Sequence, residues 1–314
     1  MNISDTLIKS FALATERAAY GASLFKGKKN KIAADQAAVD EMRKQLNKIN
    51  MKGKIVIGEG EMDEAPMLYI NEKVGNNIGD EYDIAVDPLE GTNFAANNLP
   101  NALSVLAVAR KGNILNAPVM YMEKIAIGPS LPKNLVDLDN SIQKNVKLLC
   151  EAKNKAPENI TVCLLKRPRH EKIIDELKSM KVNISYISDG DVSGVISVAN
   201  PKSKIDMYVG IGGGPEGVLA AAALSCLNCQ IQTKLFFESE NEKNRAKKLG
   251  IKDFGKKYNI SDMVKGDVIF VATGVTDGDI VNGIKISGNY FNSETFVLHK
   301  SSNTNTILKN QIEI

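Results

Sequence analysis

The sequence has no tryptophan, two histidines and four cysteines among 314 residues. It also lacks any uninterrupted apolar run near the ~18 residues that a membrane span requires. Each shortage excludes something. Four cysteines, at 150, 163, 226 and 229, are too few for a disulfide framework in a chain of this length, so a reducing cytoplasm is expected. The two histidines, His170 and His299, lie far apart, which argues against a histidine-rich zinc site. The formal net charge of +3 gives no basic stripe for a nucleic acid or a membrane surface. The short basic run from Lys26 to Lys31 reads as a solvated face. Residues 2–25 carry Lys9 and Arg17, but Asp5 and Glu16 interrupt them and no small-residue cleavage site follows. They read as a mature first helix rather than a targeting peptide.

What is present is an ordinary globular composition, 43% hydrophobic and 25% charged, long enough for one large α/β unit or two domains. Helices are expected over residues 4–25, with Ser4 as N-cap and Asp5 in the first turn, and over 34–49, where Val39, Met42, Leu46 and Ile49 share a face. Strands are expected at Lys54–Ile57, Tyr82–Val86, Ala102–Val108, Ile160–Leu165, Val182–Ile187, Asp206–Ile211 and Val268–Ala272, with helices over 170–180 and 216–227. Strands alternating with helices predict a layered α/β fold. Residues 128–140, with Pro129 and Pro132, are the best hinge between possible lobes 1–130 and 141–314.

Several of these strands run into glycine and acid: Gly58-Glu59-Gly60-Glu61-Met62-Asp63-Glu64, Asp87-Pro88-Leu89-Glu90-Gly91-Thr92, Asp189-Gly190-Asp191 and Gly212-Gly213-Gly214-Pro215-Glu216-Gly217. Ligands of open α/β sheets bind outside the carboxyl ends of strands, so these loops can face one crevice. Clustered carboxylates repel unless a cation neutralises them, and an all-oxygen set favours magnesium or manganese, which in turn serve phosphates. Taken alone, glycine beside acid is also common turn chemistry, and Asp189-Gly190-Asp191 fits that reading. In the hexapeptide at 87–92, Pro88 is expected to end the strand. Asp87 and Glu90, three residues apart around that turn, can then reach one cation.

The hexapeptide resembles the metal-binding signature of the lithium-sensitive phosphatase superfamily, which commonly has Asp where Glu90 stands. Together with Ile55–Met67, Asn116-Ala117-Pro118, Tyr121-Met122-Glu123-Lys124, Arg167-Pro168-Arg169-His170, Asp189-Gly190-Asp191 and Pro215-Glu216-Gly217, it is similar to the class II fructose-1,6-bisphosphatases from about residue 4 to about residue 298. The resemblance implies one family unit with a layered αβαβα sandwich of the sugar-phosphatase type, and a homodimer or homotetramer. It implies hydrolysis of the 1-phosphate of fructose 1,6-bisphosphate, a gluconeogenic step, by in-line attack of water activated by Mn2+ or Mg2+. It assigns one cation to Asp35 and Glu59, and another to Asp87, Glu90 and Glu216. Thr92 orients the water, Glu61 and Asp63 assist it or a further metal, and Lys31 sits near the metals. Glu90 together with the Gly91 and Thr92 amides faces the scissile phosphate. Tyr121, Arg167, Pro168 and Arg169 hold the second phosphate, arginine suiting bidentate contact. Asp189, Gly190 and Asp191 meet the sugar hydroxyls, and Gly213 lies against the sugar.

Departures from the family pattern are Asn30, where an aspartate is usual, and Gly214, where alanine is usual. The tail after about residue 300 has little family character. Two other readings stay open. Gly212, Gly214 and Gly217 fit G-x-G-x-x-G between a strand and a helix, with Glu238 roughly 20 residues on, which would suit a dinucleotide-dependent oxidoreductase. Against it, Glu216 puts a carboxylate where pyrophosphate should bind. A non-catalytic sugar-phosphate-binding regulator is the other, though it would not need Thr92 beside metals. Cys226-Leu227-Asn228-Cys229 reads as packing rather than redox or zinc chemistry. Met120 and Met122 read as core fillers, and His170 reads as a phosphate contact or as a surface or capping residue.

Overall fold

The structure, a computed structural model, describes residues 2–60, 67–248 and 250–314. It divides into two units: residues 1–116 with 264–314, and residues 117–263. The segment 128–140 lies inside the second unit.

In the first unit, α1 (Thr6–Ser23) and α2 (Lys31–Leu46) lie against an eight-stranded sheet. Going along the chain, the sheet takes β1 (Lys52–Ile57), β2 (Lys73–Val74), β3 (Glu81–Glu90) and β4 (Leu103–Arg110), with α3 (Thr92–Asn97) between the last two. Phe11, Ala14, Ala18 and Ala22 recur at helical spacing on α1 and bury against Met42 and Leu46 of α2 and Ile55, Ile84 and Leu106 of the sheet. Burying each large side chain contributes roughly 2 kcal/mol. The cap of α1 is Asp5, whose side chain pairs with His299 and makes no capping bond, and not Ser4, whose hydroxyl is taken by Thr6. Asn30 caps α2 by accepting from the Ala33 amide at 3.0 Å, a role the usual aspartate would fill equally well.

The second unit holds β5 (Tyr121–Ile127), α4 (Ile142–Lys153), β6 (Thr161–Leu165), α5 (Glu171–Ser179), β7 (Asn183–Ile187), α6 (Asp191–Ile196), β8 (Met207–Gly213), α7 (Gly214–Cys226), β9 (Gln230–Leu235), α8 (Glu240–Lys248), β10 (Lys257–Asn259) and α9 (Ile260–Met263). Its strands run in the order β10-β9-β5-β8-β6-β7. Along β5 the side chains alternate: Ile125 and Ile127 pack with α4 and α5, while Lys124 reaches Gly217 of α7 on the opposite face. The first unit resumes with β11 (Val268–Gly274), β12 (Lys285–Ser287), β13 (Tyr290–His299) and β14 (Thr304–Glu313). One unit therefore supplies helix and sheet layers, and the other helix, sheet and helix. The mixed α/β class read from the sequence is the observed one.

Two elements differ from the sequence reading. The tail after residue 300 is β14, paired along its whole length with β13. Pro88 does not end its strand: Asp87 pairs with Val105 and Glu90 with Leu103, three steps on β3 against two on β4. This bulge admits proline because β1, the other neighbour, pairs only as far as Ala85.

Asp206, at the entry to β8, is buried and receives Lys155 Nζ at 2.9 Å, the Thr161 amide at 2.9 Å and Lys153 Nζ. Burial alone would raise its carboxyl, but these donors outweigh it and hold the pKa below the usual range. A depressed pKa contributes stability that is present above the unfolded value near 3.8 and lost as pH falls through the folded one. Asp206→Asn is expected to cost about 1–3 kcal/mol at pH 7, and the difference from wild type should narrow below about pH 4. Urea unfolding at both pH values checks this.

Candidate active site

In the first unit, β1 and β3 run parallel, so Glu59, just past β1, and Asp87, near the end of β3, lie at the same end of adjacent strands. The bulge sets the spacing between Asp87 and Glu90 and leaves Glu90 buried. Gly91 follows with φ +79 and starts α3. A side chain there would meet both the left-handed strain and the Phe94 ring, 2.8 Å from the added Cβ. Thr92 is thereby the first residue of α3. The Gly27 and Lys29 amides donate to the Ala95 and Ala96 carbonyls at 3.0 and 2.8 Å. These bonds fix the start of α2, with Lys31 and Asp35, beside α3. Burial raises the Asp35 carboxyl above its ordinary value. Glu61 and Asp63 lie outside the described residues.

In the second unit, β6, β7 and β8 are parallel and β5 is antiparallel to β8, with Tyr121 opposite Gly213. Tyr121, Arg167, Pro168, Arg169, Asp189, Gly190, Asp191, Gly213 and Glu216 therefore stand at one end of one sheet, as the rule for open α/β sheets requires. The Arg169 guanidinium lies 4.5 Å from the Tyr121 ring centroid and donates from Nε and Nη2 to the Ile211 carbonyl at 3.0 and 2.9 Å. Of the five N–H donors of an arginine, three then remain for an anion.

His170 is not a surface group; of its expected roles it takes the capping position, as N-cap residue of α5 without a side-chain capping bond. It is fully buried, with Nδ1 2.6 Å from the Leu165 carbonyl and Nε2 accepting from the Ile211 amide at 2.7 Å. That pairing requires the Nδ1-protonated tautomer, and burial holds the pKa below the ordinary value. Arg169 and His170 thus clamp their turn to a single residue of β8.

Glu216 sits in the first turn of α7. Its Oε2 is shut off from solvent and has no hydrogen-bond partner, and burial pushes its carboxyl up. A Cβ on Gly213 would overlap this carboxylate, and one on Gly212 would overlap Asp191 Oδ2. The glycine-rich loop is therefore filled by the chain's own carboxylates, where a dinucleotide would need its pyrophosphate. Asp191 is buried, with Oδ2 bound by Lys124 and Oδ1 by the Tyr208 hydroxyl. A sugar hydroxyl would have to share one of these oxygens.

Among the described residues, no group of three or more His, Cys, Asp or Glu side chains is close enough to hold a metal. The donor set nevertheless fits a hard cation. It is all oxygen, and an orphaned, shielded carboxylate oxygen such as Glu216 Oε2 is the kind of atom a cation satisfies. Glu216 stands on the other unit from Asp87 and Glu90, with which it was expected to share one.

Comparison with known proteins supplies the family. The family described as "Bacterial fructose-1,6-bisphosphatase, glpX-encoded" matches residues 5–312. The chain belongs to this family. Fructose-1,6-bisphosphatase 1 class 2 of Escherichia coli (strain K12) is 44% identical over 308 residues, covering 94% of this chain and 91% of that protein. Fructose-1,6-bisphosphatase class 2 of Haemophilus influenzae is 40% identical over 316 residues, covering 96% and 94%. Among solved structures, the extragenic suppressor protein suhB from Bartonella henselae matches with TM-score 0.36 and 10% identity, over 62% of this chain and 74% of its own. The family match ends in β14, so the tail belongs to the bacterial fructose-1,6-bisphosphatase pattern.

The sequence reading of this fructose-1,6-bisphosphatase family member gave no role to Lys124 or Tyr208, both fully buried. A signal was present: Lys124 shares the β5 face of Met122 and Ala126, where a lysine must have a buried partner. The cysteines are free, as expected. Cys229 is buried with its thiol pushed up to about 12 by burial, which suits packing and not redox chemistry. No helix among the described residues is long and apolar enough to cross a membrane.

Proposed function

We propose that this chain hydrolyses the 1-phosphate of fructose 1,6-bisphosphate, giving fructose 6-phosphate and phosphate. The observation that carries the reading is 44% identity to a class 2 fructose-1,6-bisphosphatase across 94% of the chain. The acids and anion donors at the carboxyl ends of strands in each unit give it a chemical basis.

Asp35, Glu59, Asp87, Glu90 and Glu216 would hold divalent cations, Mn2+ or Mg2+. Such cations supply Lewis acidity, lowering the pKa of water and neutralising charge on the leaving oxygen. The Thr92 hydroxyl orients the attacking water, with Glu61 and Asp63 assisting it or a further metal and Lys31 adding positive charge. The water oxygen forms the new bond to phosphorus in line with the breaking bond to the sugar oxygen. Glu90 and the Gly91 and Thr92 amides face the phosphoryl group. Tyr121, Arg167, Pro168 and Arg169 hold the 6-phosphate, Asp189, Gly190 and Asp191 receive the sugar hydroxyls, and Gly213 lies against the sugar. The 87–92 hexapeptide supports placement in the lithium-sensitive phosphatase superfamily. A cytoplasmic location agrees with four free cysteines. A homodimer or homotetramer completes the reading.

The test combines product identity with one variant. Wild type should release fructose 6-phosphate. Arg169→Ala should give the same product with KM raised about tenfold and kcat within about threefold, because its phosphate contact is made in ground and transition states alike. Release of fructose 1-phosphate would overturn the assignment of the scissile group, and an unchanged KM would remove Arg169 from the substrate site.

A further inference from the structure

The Lys124 side chain is fully buried in the middle of β5, a placement an ammonium tolerates only when paired. Its partner is Asp191 Oδ2, and the other oxygen of Asp191 takes the hydroxyl of Tyr208, itself fully buried on β8. One carboxylate at the start of α6 is thus held from two adjacent strands.

The surrounding sequence makes room for this arrangement. Gly210 lies directly opposite Lys124 in the pairing of β5 with β8. A Cβ on Gly212 would lie 3.0 Å from Lys124 Nζ, and one on Gly217 would lie 3.1 Å from Lys124 Cε. Glycines on β8 and α7 therefore border the lysine on both sides. A buried ion pair is a poor source of stability, since well-packed apolar residues of similar volume commonly do as well or better. What this one provides is orientation: each oxygen of the Asp191 carboxylate is held by its own buried partner.

We propose that Lys124 and Tyr208 are positioning residues that fix the Asp191 carboxylate for the sugar hydroxyls of the substrate. The proposal rests on the reading of Asp191 as a substrate contact. Lys124, fully buried, sets the angle at which Asp191 accepts, and Tyr208 locks that angle from the next strand. Both therefore act on substrate binding through Asp191.

The experiment measures KM and kcat for fructose 1,6-bisphosphate, at saturating divalent cation, together with melting temperature. The variants are Asp191→Asn, Lys124→Met, Tyr208→Phe and the Lys124→Met/Asp191→Asn double. Asp191→Asn and Lys124→Met should each raise KM about tenfold with kcat within about threefold, and Tyr208→Phe should raise it about threefold. The double variant should be no worse than either single one, because both remove the same interaction. A purely structural role would lower the melting temperature and leave KM alone. Raised KM in Asp191→Asn but normal KM in Lys124→Met and Tyr208→Phe would overturn the proposal and keep the reading beneath it. Normal KM in Asp191→Asn would overturn both. KM effects that multiply in the double variant would also overturn the proposal. Should Lys124→Met fail to fold, Tyr208→Phe decides alone: it deletes one oxygen, changes no charge, and a KM equal to wild type overturns the proposal.

Discussion

Glu216→Gln is expected to lower phosphate release by on the order of a thousandfold, equivalent to several kcal/mol of transition-state stabilisation supplied by a cation, while the metal-free protein melts no lower than wild type. Few active-site substitutions are expected to separate activity from stability so cleanly. The reason is the shielded, unpartnered Oε2. In the metal-free protein this carboxylate costs stability, because burial disfavours its charged form. The neutral amide removes that cost and with it the charge a cation needs. The pH dependence has a definite sign. A carboxyl raised above its ordinary 4.5 favours the folded state at low pH and loses that contribution as pH rises. Melting in EDTA from pH 4.5 to 8 should therefore fall less steeply for the variant. Near-normal turnover in Glu216→Gln would remove Glu216 from the metal set.

Gly213→Ala should strongly lower activity through sterics alone. Gly213 has φ −60 and ψ 142, which alanine adopts without strain. The added Cβ would overlap the Glu216 carboxylate, the movable end of a flexible side chain. The carboxylate should give way, at a cost in folding of about 1 kcal/mol, and turnover should fall on the order of a hundredfold or more as the carboxylate is displaced. Thermal melting beside phosphate release reads both. A large loss of melting temperature would mean that the backbone moved instead. Unchanged turnover would mean that the position of Glu216 is immaterial.

These expectations rest on a candidate site whose residues were proposed from the sequence but whose local geometry was not readable there. Interior strands such as Val268–Gly274 showed as apolar runs because their side chains are buried on both faces. β14 did not: it is an edge strand, most of its residues are exposed, and Leu308 and Ile312 alone pack on the core. No period-2 pattern is required of such a strand. At Asp87-Pro88 the local rule that proline ends a strand lost to sheet context, since a bulge next to a strand that has already stopped needs no donor from residue 88. The acids stood out because glycine and carboxylate together are conspicuous at strand ends. Lys124 did not, because nothing in its own neighbourhood names Asp191, 67 positions away. The burial of His170 was hidden for the same reason: both its bonding partners are backbone groups, one of them 41 residues on.

The central claim is that the chain is a cation-dependent sugar-bisphosphate phosphatase. The most direct measurement is phosphate release from fructose 1,6-bisphosphate with Mn2+ or Mg2+ and then with excess EDTA. Release that requires the cation and stops on chelation is the predicted result. No release with either cation from folded protein, or release indifferent to EDTA, would contradict it.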